Sequence, residues 1–239
     1  MISIQKNVKS DQYLNYSYHK MIKQKILVTV DNVIFTIIKD QLNVLLIKRL
    51  IEPYKDMWAI PWWFVYDNED CQTAAYRELE EETSLKNVYL EQLYTFSDPK
   101  RDPRGRVISI AYMALVSREN VLIKAWSDAA EVKFFPIKSL PKLAFDHKKI
   151  LDYAIQRIKR KVEYTNVAQY ILPSKFTLSQ LQKVYETILD TKIDVRNFRK
   201  KLDKLNIVKE TWDKEIWVQY RPAKLYKFID KKVKIVEII

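Results

Sequence analysis

The chain has 239 residues, a formal net charge of +12, one cysteine and two histidines, and 48% of its residues are hydrophobic. This length allows one large or two modest domains, and the apolar content excludes an intrinsically disordered chain. A single cysteine excludes an internal disulfide, and two histidines argue against a zinc site. No apolar run reaches transmembrane length and no apolar signal core lies near Met1, which predicts a cytoplasmic protein without a membrane partner.

The first two thirds of the chain alternate between strand and helix patterns. Apolar residues alternate along Ile26–Ile38 and Asn43–Leu50, which predicts two strands joined by a turn at Lys39-Asp40. Further strands are predicted at Val88–Phe96, Val107–Val116 and Glu131–Ile137, and helices at Cys71–Thr83 and His147–Lys161. Together these elements predict an α/β (α+β) domain in which helices flank a mixed sheet.

An acidic helix carries the clearest chemical pattern. Glu78, Glu81 and Glu82 stand at positions i, i+3 and i+4 of the predicted helix, so their carboxylates leave from one face. A site made of carboxylates suits Mg²⁺ or Mn²⁺, which stabilise the charge that grows when water attacks a diphosphate. A Glu-rich helix alone is usually a solvated surface, but Glu69 and the segment Pro61–Val65 upstream favour the chemical interpretation.

This segment resembles the Nudix box. The residues that match the family's spacing are Glu69, Arg77, Glu78, Leu79, Glu81, Glu82 and Leu85, whereas Trp63 and Ser84 stand at glycine positions. The resemblance implies a Nudix α/β/α sandwich and a hydrolase of diphosphates that needs Mg²⁺ or Mn²⁺. It makes Arg77, Glu78, Glu81, Glu82 and Glu69 the candidate catalytic residues, with Arg77 paired to Glu69. It also implies that Glu78, Glu81, Glu82 and the backbone carbonyl of Trp62 bind the metal.

Two tryptophans replace the paired glycines of the box. The resemblance asks for glycine at Trp62 and Trp63, because the backbone there is unusual and the ligand approaches closely. The chain contains one glycine, whereas average usage of roughly 7% would give about 17. Trp126, Trp212 and Trp217 also lie where the resembling family has or commonly has glycine, and Trp58 lies where it has tryptophan.

We hypothesise that these five tryptophans, at positions 62, 63, 126, 212 and 217, are glycines encoded by UGA in a genome that reads this codon as glycine. The DNA sequence of the gene tests this hypothesis, since TGG codons at the five positions would refute it. The alternative is that genuine tryptophans have closed the pocket and stack on a base in a protein that only binds its ligand.

A turn-rich basic loop follows at residues 98–106 and contains Gly105. It resembles the substrate loop of the ADP-ribose pyrophosphatase branch, in which Arg and Asp side chains contact phosphates and the outer ribose. The candidate substrate ligands are Arg101, Asp102, Arg104 and Arg106, and the alternative is an ordinary charged surface loop. Glu131 belongs to another Nudix-like segment and is either a further metal ligand or base or a salt-bridge partner.

After Val162 the pattern changes to short helices and a basic hairpin. A short helix is predicted at Tyr164–Leu172, and Thr177 and Gln180 form a capping box at the start of the next one. The buried stripe of that helix is Leu178, Leu181, Val184, Tyr185 and Ile188. Asp194 is the N-cap of a third helix, whose inward residues are Val195, Phe198, Leu202 and Leu205. Ile207–Lys209 and Leu225–Ile229 are predicted strands, and three helices with such a hairpin are typical of a winged helix.

The net charge points to a polyanionic partner, and residues 166–239 carry 16 Lys and Arg against 9 Asp and Glu. In a winged helix the helix after Asp194 enters the major groove, and the hairpin contacts the backbone or minor groove. The candidate DNA-binding residues are Arg196, Arg199, Lys200, Lys204, Arg221 and Lys224. The alternative is an exposed helix of a basic protein. The strings Phe176–Glu186, Arg196–Leu202 and Arg221–Phe228 resemble the C-terminal domain of Nudix-related transcriptional regulators.

The sequence thus predicts an N-terminal extension over residues 1–24, a Nudix domain over 25–163 and a winged helix-turn-helix domain over 164–239. The resemblance implies a homodimeric regulator that binds palindromic operator DNA. Its Nudix domain would bind, and hydrolyse, ADP-ribose or a related nucleotide-sugar diphosphate. Two alternatives stay open: a metal-dependent hydrolase of the ADP-ribose pyrophosphatase type as the main role, and a sugar-responsive regulator without catalysis.

Overall fold

The computed structural model describes residues 25–83, 88–120, 129–214 and 222–238. The predicted extension over residues 1–24 lies outside the described residues, as do Ser84, Leu85, Trp126, Trp217 and Arg221. In the described part of the chain, no helix combines the length and the apolar character needed to cross a bilayer.

Seven strands of the described residues form one mixed sheet. They are β1 (Leu27–Ile38), β2 (Gln41–Arg49), β3 (Trp58–Ala59), β4 (Trp62–Phe64), β5 (Tyr89–Phe96), β6 (Val107–Leu115) and β7 (Ala129–Pro136). Five run in the order β3-β2-β1-β6-β5, while β4 pairs with β1 and β7 pairs with β2. The five predicted strands are confirmed, and the short strands β3 and β4 were missed because two or three residues are too few to show an alternation.

The turn between β1 and β2 is as tight as predicted. Lys39 and Asp40 have φ angles of 48° and 59°, and Ile38 pairs directly with Gln41. Two consecutive left-handed residues make the hairpin turn whose twist matches that of the flanking strands. The turn therefore sets the register of β1 against β2.

Two helices cover opposite faces of the sheet. Helix α1 (Cys71–Thr83) has the predicted bounds, and the Asp70 carboxylate caps it by accepting a hydrogen bond of 2.7 Å from the backbone N–H of Thr73. Helix α2 (His147–Tyr164) covers the other face. Because side chains alternate along a strand, Val33 packs on the α2 side and Ile34 on the side of α1. The result is the expected α/β/α sandwich.

The C-terminal part forms a winged helix. A 3-10 helix (Val167–Tyr170) precedes α3 (Leu178–Leu189) and α4 (Val195–Leu205), and β8 (Val208–Lys214) pairs with β9 (Lys224–Phe228). The capping box is confirmed, since the Thr177 hydroxyl accepts from the backbone N–H of Gln180 at 3.1 Å and the Gln180 side chain accepts from that of Thr177 at 2.8 Å. Asp194 caps α4 as predicted. The predicted helix at Tyr164–Leu172 is present only as the 3-10 turn.

The predicted buried stripes need one correction. Leu181, Val184, Tyr185 and Ile188 are buried in α3, and Phe198 and Leu202 are buried in α4. Leu178 and Leu205 are partly buried. Val195 was predicted to face inward but is 45% exposed. It is the first residue of α4, at the end of the helix beside its N-cap Asp194.

The Nudix-like part and the winged helix share one hydrophobic core. The same cluster joins Val33 and Met113 of the sheet through Ile158 of α2 to Tyr185 and Phe198 of the winged helix. Residues 234–238 return to α2, where the backbone N–H of Ile238 donates to the carbonyl of Glu163 at 3.1 Å. The two parts are therefore packed as a continuous body along α2.

A polar cleft lies beside this shared core, between the β1–β2 turn and α3. Its volume is about 400 Å³. Lys138 forms an ion pair of 2.6 Å with Asp190 across the cleft, and Lys183 forms one of 3.5 Å with Asp40. The contact between sheet and α3 is thus partly polar.

Candidate ligand site and DNA-binding surface

The predicted pair of Arg77 and Glu69 is present and fixes the loop before α1. The Arg77 guanidinium donates from Nε and Nη2 to the two Glu69 carboxylate oxygens at 3.0 and 2.6 Å. Glu69 also accepts from the backbone N–H of Tyr66 at 3.0 Å, and Arg77 lies 4.3 Å from the centre of the Tyr66 ring. This bidentate pair holds the carboxylate-bearing face of α1 in place.

Two of the predicted metal ligands can be located on that face. Glu78 is buried and accepts a hydrogen bond from Arg77, whereas the Glu81 side chain is 62% exposed and its carboxylate lies 3.8 Å from Arg77. Burial raises the pKa of Glu78 to about 7 although Arg77 lies beside it, and a divalent cation at this place would favour the charged carboxylate further. The side chain of Glu82 lies outside the described residues.

The oxygen donors of Glu78 and Glu81 fit a hard divalent cation such as Mg²⁺. Among the side chains that the structure describes, His, Cys, Asp and Glu form no group of three placed to hold a metal ion. The metal set of Glu78, Glu81, Glu82 and the Trp62 carbonyl therefore stays a prediction, in which Glu82 would supply the third carboxylate. When bound, the cation would stabilise negative charge on a diphosphate.

Trp62 and Trp63 lie in an ordinary extended strand. β4 pairs antiparallel with β1, with Asp31 opposite Trp62 and Val30 opposite Trp63. Among the described residues with positive φ, neither tryptophan appears, and Trp212 does, with a φ of 65°. The expectation that these positions need an unusual backbone is wrong, because strand pairing imposes extended angles on both. The remaining argument for glycine at positions 62 and 63 is that an approaching ligand needs the space that the two indole side chains occupy.

The side chain of Trp62 sits in a cluster of rings and guanidinium groups, defined by Arg49, Trp62, Arg104 and Phe145. The guanidinium carbons of Arg49 and Arg104 lie 5.7 and 5.1 Å from the Trp62 ring centre. The same two carbons lie 4.8 and 5.6 Å from the Phe145 ring centre. We call this set the ring cluster.

The predicted substrate loop is pinned by its own charges. Arg101 is buried and donates to Asp146 at 2.9 and 3.1 Å and to Asp31 at 3.2 Å, so it ties the loop to α2 and β1. Asp102 accepts both guanidinium hydrogen bonds of Arg104, at 3.0 and 2.7 Å. Arg106 donates to the carbonyl of Ser97 at 2.6 Å. Of the four predicted ligands, Arg104 reaches the ring cluster, and the assignment of all four to substrate stays a prediction.

Three further residues border this region and were missed from the sequence. Arg49 ends β2, and only its place after an apolar strand hinted at it. Phe145 carries no local signal. His147 is buried, its Nδ1 accepts from the backbone N–H of Ile60 at 2.9 Å, and its ring lies 5.3 Å from that of Phe145. Glu131, the other candidate, is exposed on β7, opposite Lys48 of β2.

Two buried groups at this site are expected to give the fold opposing pH dependences. Burial lowers the pKa of His147 from 6.5 to about 3, and burial raises that of Asp31 from 3.8 to about 6. As the pH falls from 6.5 to 5, the histidine is protonated in the unfolded chain only, which lowers the stability of the fold by about 1.5 kcal/mol. Over the same window Asp31 is protonated in the folded chain only, which raises the stability by about 1 kcal/mol. The contributions of His147 and Asp31 to the free energy of unfolding should therefore nearly cancel over this window.

Single substitutions separate the two effects. Each variant is compared with the unsubstituted chain, so that other titrating groups such as Glu78 cancel. As the pH rises from 5 to 6.5, the change in stability of His147→Gln should be about 1.5 kcal/mol less favourable than that of the unsubstituted chain, and that of Asp31→Asn about 1 kcal/mol more favourable. Urea denaturation at several pH values measures both slopes. Equal slopes in the two variants would contradict the assignment.

The outer face of α4 is basic and exposed. Arg196, Arg199, Lys200 and Lys204 are all exposed, and none of the four forms an ion pair with any residue that the structure describes. On the hairpin, Lys224 is paired with Glu210 at 2.9 Å. Trp212, also on the hairpin, is 90% exposed at its left-handed backbone position, which favours glycine. The predicted contact Arg221 lies outside the described residues.

Comparisons with known proteins agree with both parts of the chain. The model of the NUDIX domain matches residues 28–154, and that of the NrtR DNA-binding winged helix domain matches residues 168–228. The ADPR responsive transcriptional repressor NtrR of Acinetobacter baylyi is 34% identical over 235 residues, which cover 95% of this chain and 92% of that protein.

Two solved structures of Shewanella oneidensis NrtR are similar as well. NrtR complexed with a 27mer DNA has a TM-score of 0.75 and 34% identity, covering 84% of this chain and 93% of that one. The NUDIX domain complexed with ADP ribose has a TM-score of 0.52 and 33% identity, covering 62% of this chain and 97% of that one. The chain belongs to the Nudix family, in the group whose Nudix domain is followed by an NrtR DNA-binding winged helix domain.

Proposed function

We propose that this protein is a transcriptional repressor whose winged helix binds operator DNA and whose Nudix domain binds ADP-ribose. The observation that carries the proposal is the basic face of α4, joined through one core to a domain with a Nudix box. Exposed Arg and Lys side chains without acidic partners are available to phosphates and base edges. The similarity to the ADPR responsive repressor of Acinetobacter, and to Shewanella NrtR in complexes with DNA and with ADP ribose, supports the same pairing of DNA with ADP-ribose.

Strand β2 offers a physical route between ligand and DNA. It begins at Gln41, beside the cleft against α3, and ends at Arg49 in the ring cluster. The Thr187 hydroxyl of α3 lies 3.4 Å from the carbonyl of Asp40 in the adjoining turn. A ligand that moves Arg49 would shift β2 and bias the ion pairs that orient α3. DNA affinity changes if ADP-ribose prefers one of the two arrangements.

The functional unit we propose is a cytoplasmic homodimer. One chain presents one α4, and two copies related by a two-fold axis would place two such helices on the halves of a palindromic operator. Sedimentation of the protein alone and with operator DNA measures the stoichiometry, for which two chains per operator is the expected value.

Hydrolysis of ADP-ribose is a second proposed activity at the same site. The bidentate pair of Arg77 and Glu69 keeps the acidic face of α1 rigid, which a protein that only senses its ligand does not require. Glu78, Glu81 and Glu82 would hold Mg²⁺ or Mn²⁺, with Glu69 and Arg77 as positioning residues. A sugar-responsive regulator without catalysis is the remaining alternative.

A gel shift against the DNA upstream of the protein's own gene tests the main proposal. We expect specific binding that weakens as salt rises, and release or tightening of the complex on adding ADP-ribose. A shuffled DNA of equal length is the control for non-specific binding. Equal affinity for both DNAs at every salt concentration would refute the repressor, and a response to ribose 5-phosphate but not to ADP-ribose would favour the sugar-responsive alternative.

A further inference from the structure

The indole of Trp62 occupies a slot with aromatic and cationic walls. Its ring centre lies 6.0 Å from that of Phe145 and 5.4 Å from that of Phe64, with interplanar angles of 72° and 81°. Arg49 and Arg104 lie over the same indole. The slot therefore already holds a flat heteroaromatic ring.

Each guanidinium group uses one of its edges, Nε and Nη2, for hydrogen bonds within the protein. Arg49 donates to the carbonyls of Pro53 and Ile51 at 2.9 and 3.2 Å. Arg104 donates twice to the Asp102 carboxylate, at 3.0 and 2.7 Å. A phosphate is recognised through guanidinium edges, whereas a planar ring is recognised through guanidinium faces. Since one edge of each group is used within the protein and both groups lie over the Trp62 ring, the faces favour a ring over a phosphate at this place.

Phe145 is held in a strained backbone conformation at the wall of the slot. Its φ of 52° lies in the left-handed region, which an aromatic residue rarely adopts. The Tyr54 ring packs edge-on at 4.8 Å and the His147 ring lies at 5.3 Å, so neighbours on two sides fix the phenyl group. Backbone strain of this kind persists where the surroundings over-determine it, commonly at ligand clamps.

Open space adjoins the slot. A cavity of about 170 Å³ is lined by Trp62, Trp63, Arg49, Arg104, Ile47 and Ile51, among others. A ring in the place of the indole would have room there for a substituent. The substituent would lie between β4 and the end of β2.

We propose that this slot is the binding site for a nucleobase of the ligand, that Phe145 and the faces of Arg49 and Arg104 select for the base, and that the Trp62 indole fills its place. The inference rests on the proposed binding of a nucleoside diphosphate and assigns one end of that ligand to the slot. It makes Phe145 a specificity-determining residue.

Calorimetric titration of the full-length Trp62→Gly variant tests the slot, with AMP, adenosine, ribose 5-phosphate and ADP-ribose as probes. We expect AMP to bind this variant at least tenfold more tightly than the chain with Trp62, and at least tenfold more tightly than ribose 5-phosphate. Trp212→Gly, a change of the same kind at an exposed position on the hairpin, is the matched control and should leave all four affinities unchanged.

Adding Phe145→Leu to Trp62→Gly is expected to weaken AMP binding about tenfold and to leave ribose 5-phosphate unaffected. If Phe145→Leu does not fold, Arg104→Gln is the second variant, since the Arg104 side chain is partly exposed and its loss removes one guanidinium face from the slot.

Equal affinity of the Trp62→Gly variant for AMP and ribose 5-phosphate would refute the proposed slot. If both substitutions leave ADP-ribose binding intact, the slot is refuted and the proposed function survives. If AMP and adenosine bind in the slot but ADP-ribose does not bind, the slot is supported and the proposed ligand is refuted. If none of the probes binds, the slot and the proposed ligand are both refuted.

Discussion

Replacing Trp62 and Trp63 together by glycine is expected to raise the rate of Mg²⁺-dependent AMP release from ADP-ribose by about 100-fold or more, equivalent to about 2.7 kcal/mol of activation free energy. Both indoles line the cavity beside the ring cluster, and β4 already has an extended backbone that glycine can adopt without rearrangement. Removing the rings opens the approach to the carbonyl of residue 62 and to the acidic face of α1. The gain would come from access, since no catalytic group is added.

Two controls accompany this measurement. Glu82→Gln in the double-glycine background should return AMP release to the level without enzyme, because the proposed metal site loses a ligand. Trp212→Gly alone should leave the rate of the starting chain unchanged. A double-glycine protein that is folded, binds ADP-ribose and releases no AMP would refute hydrolysis but leave repression intact.

Removing two charges from the exposed face of α4 is expected to weaken operator binding by about 10- to 100-fold at moderate salt. Arg199→Ala with Lys200→Ala deletes side chains that have no acidic partner in the described part of the chain, so no folded-state ion pair is lost. The slope of log affinity against log salt concentration should flatten by about 0.9 for each phosphate contact removed. ADP-ribose binding should stay unchanged.

Lys149→Ala with Arg160→Ala is the matched control, because it removes one Lys and one Arg from exposed positions on α2 that form no ion pair with any described residue. Fluorescence anisotropy with labelled operator DNA gives both the affinity and its salt dependence. A loss of equal size in the two double variants would show that net charge alone attracts DNA. A loss confined to the operator sequence, and absent on shuffled DNA, would assign Arg199 or Lys200 to base edges.

Elements with a local cause were predictable from the sequence. Helix α1 matches its predicted bounds because Asp70 caps it, and α3 matches because Thr177 and Gln180 cap each other. The turn at Lys39-Asp40 follows from the apolar alternation on either side. Each of these signals is contained within a few consecutive residues, so it can be read without knowing the fold.

The ring cluster could not be predicted, because its members come from distant parts of the chain. Arg49 ends β2, Arg104 belongs to the loop before β6, and Phe145 lies just before α2. Only the packing of the sheet against α2 brings them together. The expected unusual backbone at Trp62 was wrong for a similar reason, since pairing of β4 with β1 decides that conformation. The ion pairs of Arg101 with Asp31 and Asp146 were unpredictable for the same reason.

The core that runs without a break from the sheet through Ile158 to Tyr185 and Phe198 also determines how the protein responds to heat. Packing of this kind makes the two parts melt together, because loosening one removes apolar contacts from the other. A ligand that binds only the native state raises the melting temperature of everything that melts with it. ADP-ribose bound above α1 would then protect α4 from thermal unfolding without contacting it. The temperature at which operator binding is lost would in this way depend on the concentration of the nucleotide in the cell.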